Sequence, residues 1–340
     1  MLDTIRQGRQ RHGLRGFLRR YGRTQVNRAL HRVDRRHLVR AFRELGVEPG
    51  TTVCVHASLR RLGYVVGGPD AVIDALLEAL GPRGTLMMPS FAAPRSALEY
   101  LEAGEVFDVR RTPSRSGAVT EVFRRRPDVR RSLHPTNAVA ACGTRSQELL
   151  AGHEWSLTPF GRTTPYGRLA EWEDGFVLML ETHVHSLLHH LQERVRLPTL
   201  FLPGTRNVPV RDRQGERRTV TTKVMRPRIP YYVAIPSSQH ASHPDWAILH
   251  DFALLFPPRR DAAVRQAGYT FEGYPALLRR REDLARRGAL RIHRAGRGHV
   301  GLLHARSFIR GIEPEFRELI DRFRDHYDPE AIQALNLPYL

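Results

Sequence analysis

From residue 34 the chain alternates short apolar runs with amphipathic stretches, each bounded by glycine or proline. VDRRHLVRAFRELGVEPG sets Leu38, Phe42 and Leu45 on one helical face, with Gly46 as the stop. TTVCVHAS (51–58) and GTLMMPSF (84–91) are apolar runs of strand length. Between them GGPDAVIDALLEALG (67–81) has helical period, with Pro69 in the first turn, where its missing N–H costs nothing, and Gly81 at the end. SGAVTEVFRRR (116–126) continues as helix, NAVAACG (137–143) as a short strand, and FVLMLET (176–182) as a buried strand. Strands alternating with helices at this spacing predict an α/β fold: three α/β/α layers around a central, largely parallel sheet.

The rhythm breaks between 204 and 245. VPVRDRQGERRTVTTKV has the form of a β-hairpin turning at Gln214-Gly215-Glu216. DWAILHDFALLF, YPALLRRREDLARRG and EPEFRELIDRFRDHY predict late helices, and LRIHRAGRGHVGLLHARSFI a strand pair, or a strand and a short helix. The expected organisation is one α/β domain over 34–340, carrying an insertion at 204–245 and preceded by a separate extension over 1–33.

That extension stands out by charge. The chain has 54 Lys+Arg against 35 Asp+Glu, a formal net of +19. All of the cations but Lys223 are arginine. Residues 1–36 hold eleven arginines against Asp3 and Asp34, a net of +9 that leaves +10 for the remainder. Such an arm can be a solvated, partly helical extension or a contact for nucleic acid or another polyanion. No apolar run reaches the roughly 18–20 residues that cross a bilayer, and the N-terminus lacks the apolar centre of a secretory leader. Cys54 and Cys142 sit in separate apolar runs, as buried thiols of a cytoplasmic protein do. A soluble, cytoplasmic protein is the expectation. Nothing in the pattern indicates an oligomeric state.

Chemistry concentrates in HVHSLLHHLQE (183–193), where four histidines precede a glutamate. On a helix, His185, His189 and Glu193 share one face. A row of this kind suits a metal site, to which His240, His243 and His250 add possible ligands, or a catalytic base with its partner. A zincin helix needs Glu directly after the first His, and Ser186 stands there.

Four segments in order resemble the aminoglycoside 3-N-acetyltransferase family: VHASLRRLGYVVGGPDAVIDALLEALGPRGTLMMPSF, FDVRRTPSRSGAVTEVFRRRPDVRRSLHPTNAVAACG, LTPFGRTTPYGRLAEWEDGFVLMLET and SLLHHLQE. The resemblance implies an acyltransferase that uses acetyl-coenzyme A, needs no metal, and acetylates a small amine on an amino sugar or aminoglycoside. It implies that a histidine of the last segment is the general base and a following acid its orienting partner. His189 is the better match, with Ser186 where the family has Thr. Position 192, where the acid is expected, is Gln, so Glu193 takes that role; in the alternative register His190 and Glu193 pair at the usual spacing. Coenzyme A is expected on the loop His56, Ser58, Leu59 and Arg60, on the Gly67-Gly68 helix start, and on Ser114 and Arg115, through backbone N–H groups and guanidinium–phosphate bonds. Asn137 is a candidate for the developing oxyanion, and Asp108, Glu181 and Glu193 for an acidic patch facing a cationic acceptor.

The chain departs from the family at Glu181, where Gly is usual, at Ala138, where Ser is common, and in the 204–245 insertion. A net of +19 disfavours a strongly cationic acceptor. Two other function classes fit parts of the chain: a catalytically silent relative that binds nucleic acid through the basic arm, and a metal-dependent hydrolase.

Overall fold

The computed structural model describes residues 32–93, 96–182, 185–197, 200–226, 282–295 and 298–323. The basic arm over 1–31, His183, His240, His243, His250, the helix expected over 245–256, the first part (274–281) of that expected over 274–288 and the side chain of Arg60 lie outside the described residues.

The strands in chain order are β1 (Arg32–Val33), β2 (Thr52–Ala57), β3 (Tyr64–Val65), β4 (Thr85–Pro89), β5 (Phe107–Asp108), β6 (Arg130–Arg131), β7 (Val139–Gly143), β8 (Gly175–Leu180), β9 (Arg206–Arg211), β10 (Arg217–Thr222), β11 (Leu290–Ala295) and β12 (Gly298–His304). The helices are α1 (Arg35–Leu45), α2 (Leu59–Leu62), α3 (Gly68–Leu80), α4 (Ala97–Glu102), α5 (Ala118–Phe123), α6 (Ser146–Leu150), α7 (Pro165–Glu171), α8 (Leu187–Arg194) and α9 (Ala305–Phe323).

Period-two alternation along the strands divides the core. Val53, Val55, Leu86, Met88, Leu178 and Leu180 face one side, where they pack with α1, α3 and α5. Cys54, Met87, Val177 and Met179 face the other, against α6, α7, α8 and α9. Helices therefore cover both faces, and the layering is α/β/α. Asp34 begins α1 by accepting the His37 N–H at 3.0 Å, and Gly46 ends it in the left-handed region, φ 98°.

The central sheet corrects the expectation of largely parallel strands. Its order is β11-β12-β8-β2-β4-β7-β6. Only the β8–β2 and β2–β4 pairings are parallel; the other four are antiparallel. Both faces of this sheet are covered, so strands of either direction present the same apolar runs, and those runs do not encode direction. The long excursion between β4 and β7 lets the chain re-enter from the opposite end. The β11–β12 hairpin then adds antiparallel strands on the far edge.

The segment after residue 204 forms the antiparallel pair β9–β10, joined through Asp212 to Glu216, with Gly215 at φ 89°. Its β9 strand pairs in parallel with β5, making a separate three-stranded sheet over Phe107, Val210 and Val220. At the N-terminal end, Arg32–Val33 pairs with Tyr64–Val65 and Val33 is buried, so the packed structure begins ahead of residue 34. Helix α9 runs unbroken from Ala305 to Phe323 through Pro314, joining what read as two elements.

Gly143 shows how tightly the sheet closes at the β4–β7 end. A Cβ there would lie 2.1 Å from the Gly84 carbonyl oxygen, and its φ is 105°; Gly50, at φ 91°, has nothing within 4 Å. Gly143→Ala is expected to cost more than about 3 kcal/mol and Gly50→Ala about 1 kcal/mol. Urea denaturation of the two variants checks the ranking, and equal losses would contradict this packing.

Candidate active site

The three parallel strands end together. Pairing of β2 with β8 continues to Ala57↔Leu180, whereas pairing with β4 extends only from Thr52↔Thr85 to Cys54↔Met87. Beyond Cys54↔Met87 the β2–β4 ladder is interrupted, a gap outside the carboxyl ends that forms the crevice; the helix after β2 packs on one face and α8, after β8, on the other, the usual ligand position in such sheets. The Ser114–Gly117 loop reaches it: the Arg115 N–H donates to the Phe91 carbonyl at 2.7 Å and the Phe91 N–H to Ser116 Oγ at 3.0 Å. A Cβ on Gly117 would come within 3.9 Å of the Ala57 carbonyl oxygen.

Helix α8 enters above this edge. The Ser186 N–H, just ahead of it, donates to His56 Nε2 at 3.2 Å, which ties α8 to the end of β2. A backbone N–H can only donate, so His56 carries its proton on Nδ1. Cys54 Sγ lies 3.7 Å from the same Nε2. Burial pushes the Cys54 thiol far up and the Cys142 thiol to about 12, so neither is a thiolate nucleophile.

His189 is held from two sides. Its ring packs on Phe160 with centroids 4.8 Å apart, and its Nδ1 lies 2.9 Å from Gln192 Oε1. With the amide oxygen accepting, Nδ1 carries the proton and Nε2 keeps its lone pair. Burial lowers the His189 pKa, and the Gln192 bond partly offsets this. His190 points elsewhere: its Nδ1 donates to the Phe160 carbonyl at 2.6 Å, and burial brings its pKa to about 4.

Glu193 is not beside His189. Its carboxylate accepts from the Thr158 hydroxyl, and its pKa is raised by burial against the Thr158 and Phe160 hydrogen bonds and the charge of Lys223. Residues three and four positions on both lie near His189 on a helix, and their partners separate them: Gln192 reaches His189 Nδ1, while Glu193 is taken by the Thr158 hydroxyl of the 158–161 loop. His185 is buried against Phe308, centroids 5.2 Å apart, with both ring nitrogens lacking a hydrogen bond and its pKa pushed down to about 3. Among the described residues no group of three His, Cys, Asp or Glu is placed to hold a metal ion.

The other candidates divide. Ser58 stands at the end of β2 with its N–H on the Leu180 carbonyl at 2.8 Å, and its hydroxyl makes no cap bond. Leu59 packs into the core, and Ser114 is buried between Thr120 and Glu121. Arg115 is exposed beside the crevice. Gly67 and Gly68 adopt φ 82° and 60° to start α3, whose first turn carries Asp70 bound to Arg126 at 2.9 Å. Asn137 accepts from Thr136 Oγ1 at 2.7 Å through Oδ1 and sits where β7 begins, its neighbour Ala138 accepting the Ser90 N–H.

The three acids do not gather into a patch. Asp108 accepts the N–H groups of Arg110 and Arg111, both at 2.9 Å, on the small sheet. Glu181 accepts the His299 N–H at 2.6 Å. Its φ is 52°, a left-handed backbone that glycine adopts without strain, which is the physical reason a glycine suits this position. Arg61 and Phe160 escaped the sequence reasoning: Arg61 donates to the Glu181 carbonyl at 3.4 Å, and Phe160 touches both His189 and His190. Phe160 had no signal beyond lying in LTPFGRTTPYG.

Comparison with known proteins places the chain in a family. Residues 54–310 match the aminoglycoside 3-N-acetyltransferase family. The aminoglycoside N(3)-acetyltransferase VIII of Streptomyces fradiae is 34% identical over 227 residues, covering 62% of this chain and 78% of that protein. The aminoglycoside N(3)-acetyltransferase III of Pseudomonas aeruginosa is 36% identical over 46% of this chain and 62% of its own length. Among solved structures, AAC-IIIb in its binary form with CoASH superposes with a TM-score of 0.60 at 21% identity, over 84% of this chain and 97% of that one. The chain belongs to the aminoglycoside 3-N-acetyltransferase family, a family of acyltransferase enzymes. Among the described residues no helix is long and apolar enough to cross a membrane.

The histidines set an acid limit on stability. His56, His153 and His185 have pKa values pushed down to about 3 and His190 to about 4, in each case chiefly by burial. Unfolded histidine takes up a proton near pH ~6.5, so between about 6.5 and those values the unfolded chain binds more protons and acid favours it. The Tm is expected to be level above about pH 7 and to fall steadily from about pH 6.5 toward pH 4. A Tm flat across that window by scanning calorimetry would mean these rings are not held neutral.

Proposed function

We propose that the protein transfers the acetyl group of acetyl-coenzyme A to an amine of an amino sugar or aminoglycoside-like acceptor, with both substrates bound together and His189 as general base. The observation that carries this is the His189–Gln192 bond, which leaves Nε2 neutral and unprotonated on the helix tied to the end of β2. An ammonium cannot attack a thioester, so removal of the nitrogen's proton is the step a protein must supply. The protonated, buried thiols support direct transfer over an acyl-enzyme. The family match and the coenzyme A complex of AAC-IIIb support acetyl-coenzyme A as donor.

In this reading coenzyme A lies along the crevice, with Arg115 for its phosphates and the segment after His56, including Ser58, beside its thioester arm. Asn137, just ahead of β7, offers its carboxamide N–H as a donor toward the oxyanion. Glu193 contributes by fixing the 158–161 loop that carries Phe160, not by touching the base. The compartment in which the protein works is proposed to be the cytoplasm, and its partners a coenzyme and a small amine.

Millimolar coenzyme A is expected to raise the Tm of the wild type by mass action. His189→Ala should lower acetyl transfer by about 10²–10⁴-fold while keeping that Tm shift, because the ring acts on the acceptor nitrogen. The acid limb of the wild-type rate should lie on the acid side of pH ~6.5, since burial lowers the His189 pKa from its ordinary value. Absence of the Tm shift, or full activity in His189→Ala, would overturn the proposal.

A further inference from the structure

Position 192 holds the second half of the site's chemistry. Gln192 is buried, with 4% of its surface exposed, and its amide oxygen lies 2.9 Å from His189 Nδ1. A carboxamide differs from a carboxylate in one respect that matters here: it fixes the tautomer but brings no negative charge. The ionisable groups around His189 are His56 on β2 and His185 ahead of α8, both neutral, while Glu193 turns to Thr158 with Lys223 acting on it. Among the described residues no carboxylate contacts the His189 ring.

We propose that Gln192 is the positioning residue of this site, presenting His189 as an uncharged base with Nε2 free, and that the matching acceptor is a weakly basic amine, unprotonated near neutral pH. The inference rests on the general-base role of His189. The amine lone pair forms the C–N bond to the thioester carbon, its proton passes to Nε2, the C–S bond breaks, and the departing thiolate recovers the proton from the imidazolium. A carboxylate behind the ring would stabilise that imidazolium; an amide does so weakly. The site therefore draws a proton poorly from a strongly basic ammonium and well from a nitrogen becoming cationic only during attack. The charge of the chain points the same way: at a net of +19 it repels a polycation and leaves an uncharged amine unaffected.

The test uses the full chain with ¹⁵N-labelled histidine, the wild type against Q192E and Q192L, and His189→Ala to identify the signal. In the wild type His189 should show the Nδ1–H tautomer and remain neutral well below pH ~6.5. Q192E should raise its pKa by about 1 unit or more and carry the acid limb of the pH–rate profile up with it. Q192L should lose the single tautomer and reduce kcat about tenfold or more, with KM for acetyl-coenzyme A nearly unchanged. Between two amines of similar size, with pKa values of about 7 and about 10, the wild type at neutral pH should favour the weaker base. A Q192E variant with an unmoved His189 pKa, a Q192L variant that keeps tautomer and kcat, or preference for the stronger base would overturn the proposal. If no amine is acetylated at any pH, the general-base reading falls, while the tautomer and pKa of His189 still decide the role of Gln192.

Discussion

The parallel pairing of β8, β2 and β4 is the constraint on which everything else rests. It brings together three stretches distant in sequence, because strands running the same way must end on the same side. Residues 56–58, 90–91 and 181 meet there, and α8 is lowered onto that edge by the bond from Ser186 to His56. The early end of the β2–β4 register matters as much as the pairing itself. Were β2 and β4 paired along their whole length, the crevice would be closed by sheet hydrogen bonds.

Desolvation decides the chemistry of that edge. His56, His185, His189 and His190 all lose solvent, so each favours the uncharged ring. What separates them is the partner. His56 accepts from a backbone N–H, His190 donates to a carbonyl, His185 packs on Phe308 with no hydrogen bond at either ring nitrogen, and His189 is held at Nδ1 by the Gln192 side chain. Of these four histidines, three pack or anchor, and His189 is the one proposed as base.

Much of this was legible from residues alone, and the failures have physical causes. The helix over 67–81 and the strands over 51–58 and 176–182 were visible because period and punctuation act locally. Strand direction was not, since it depends on where a long loop returns. The importance of 183–193 was plain, whereas two registers, His189 or His190 beside Glu193, stayed open there. The partner of His189 was assigned by charge to Glu193, yet Thr158 takes Glu193 and the contact goes to Gln192, whose amide carries no charge to attract notice. Phe160 lies some 30 positions away in sequence, and no local pattern joins it to a histidine. Glu181 was marked as unusual for its residue type, and the reason, a left-handed backbone, is invisible until φ is known.

Helix α9 has a bearing on the order in which the molecule comes into being. Arg194, the last residue of α8, pairs with Glu313 at 2.8 Å, and His185 rests on Phe308. The neighbour of β8 on its outer side is β12, more than a hundred residues later. During synthesis, therefore, the segment bearing His189 emerges well before the elements that seat it. Contacts so distant along the chain are slow to close. Until the ribosome has released residues beyond 313, the histidine helix has neither its ionic anchor nor the apolar wall beneath it. A chain shortened by a premature stop would retain every residue of the crevice and lose the means of holding them in place.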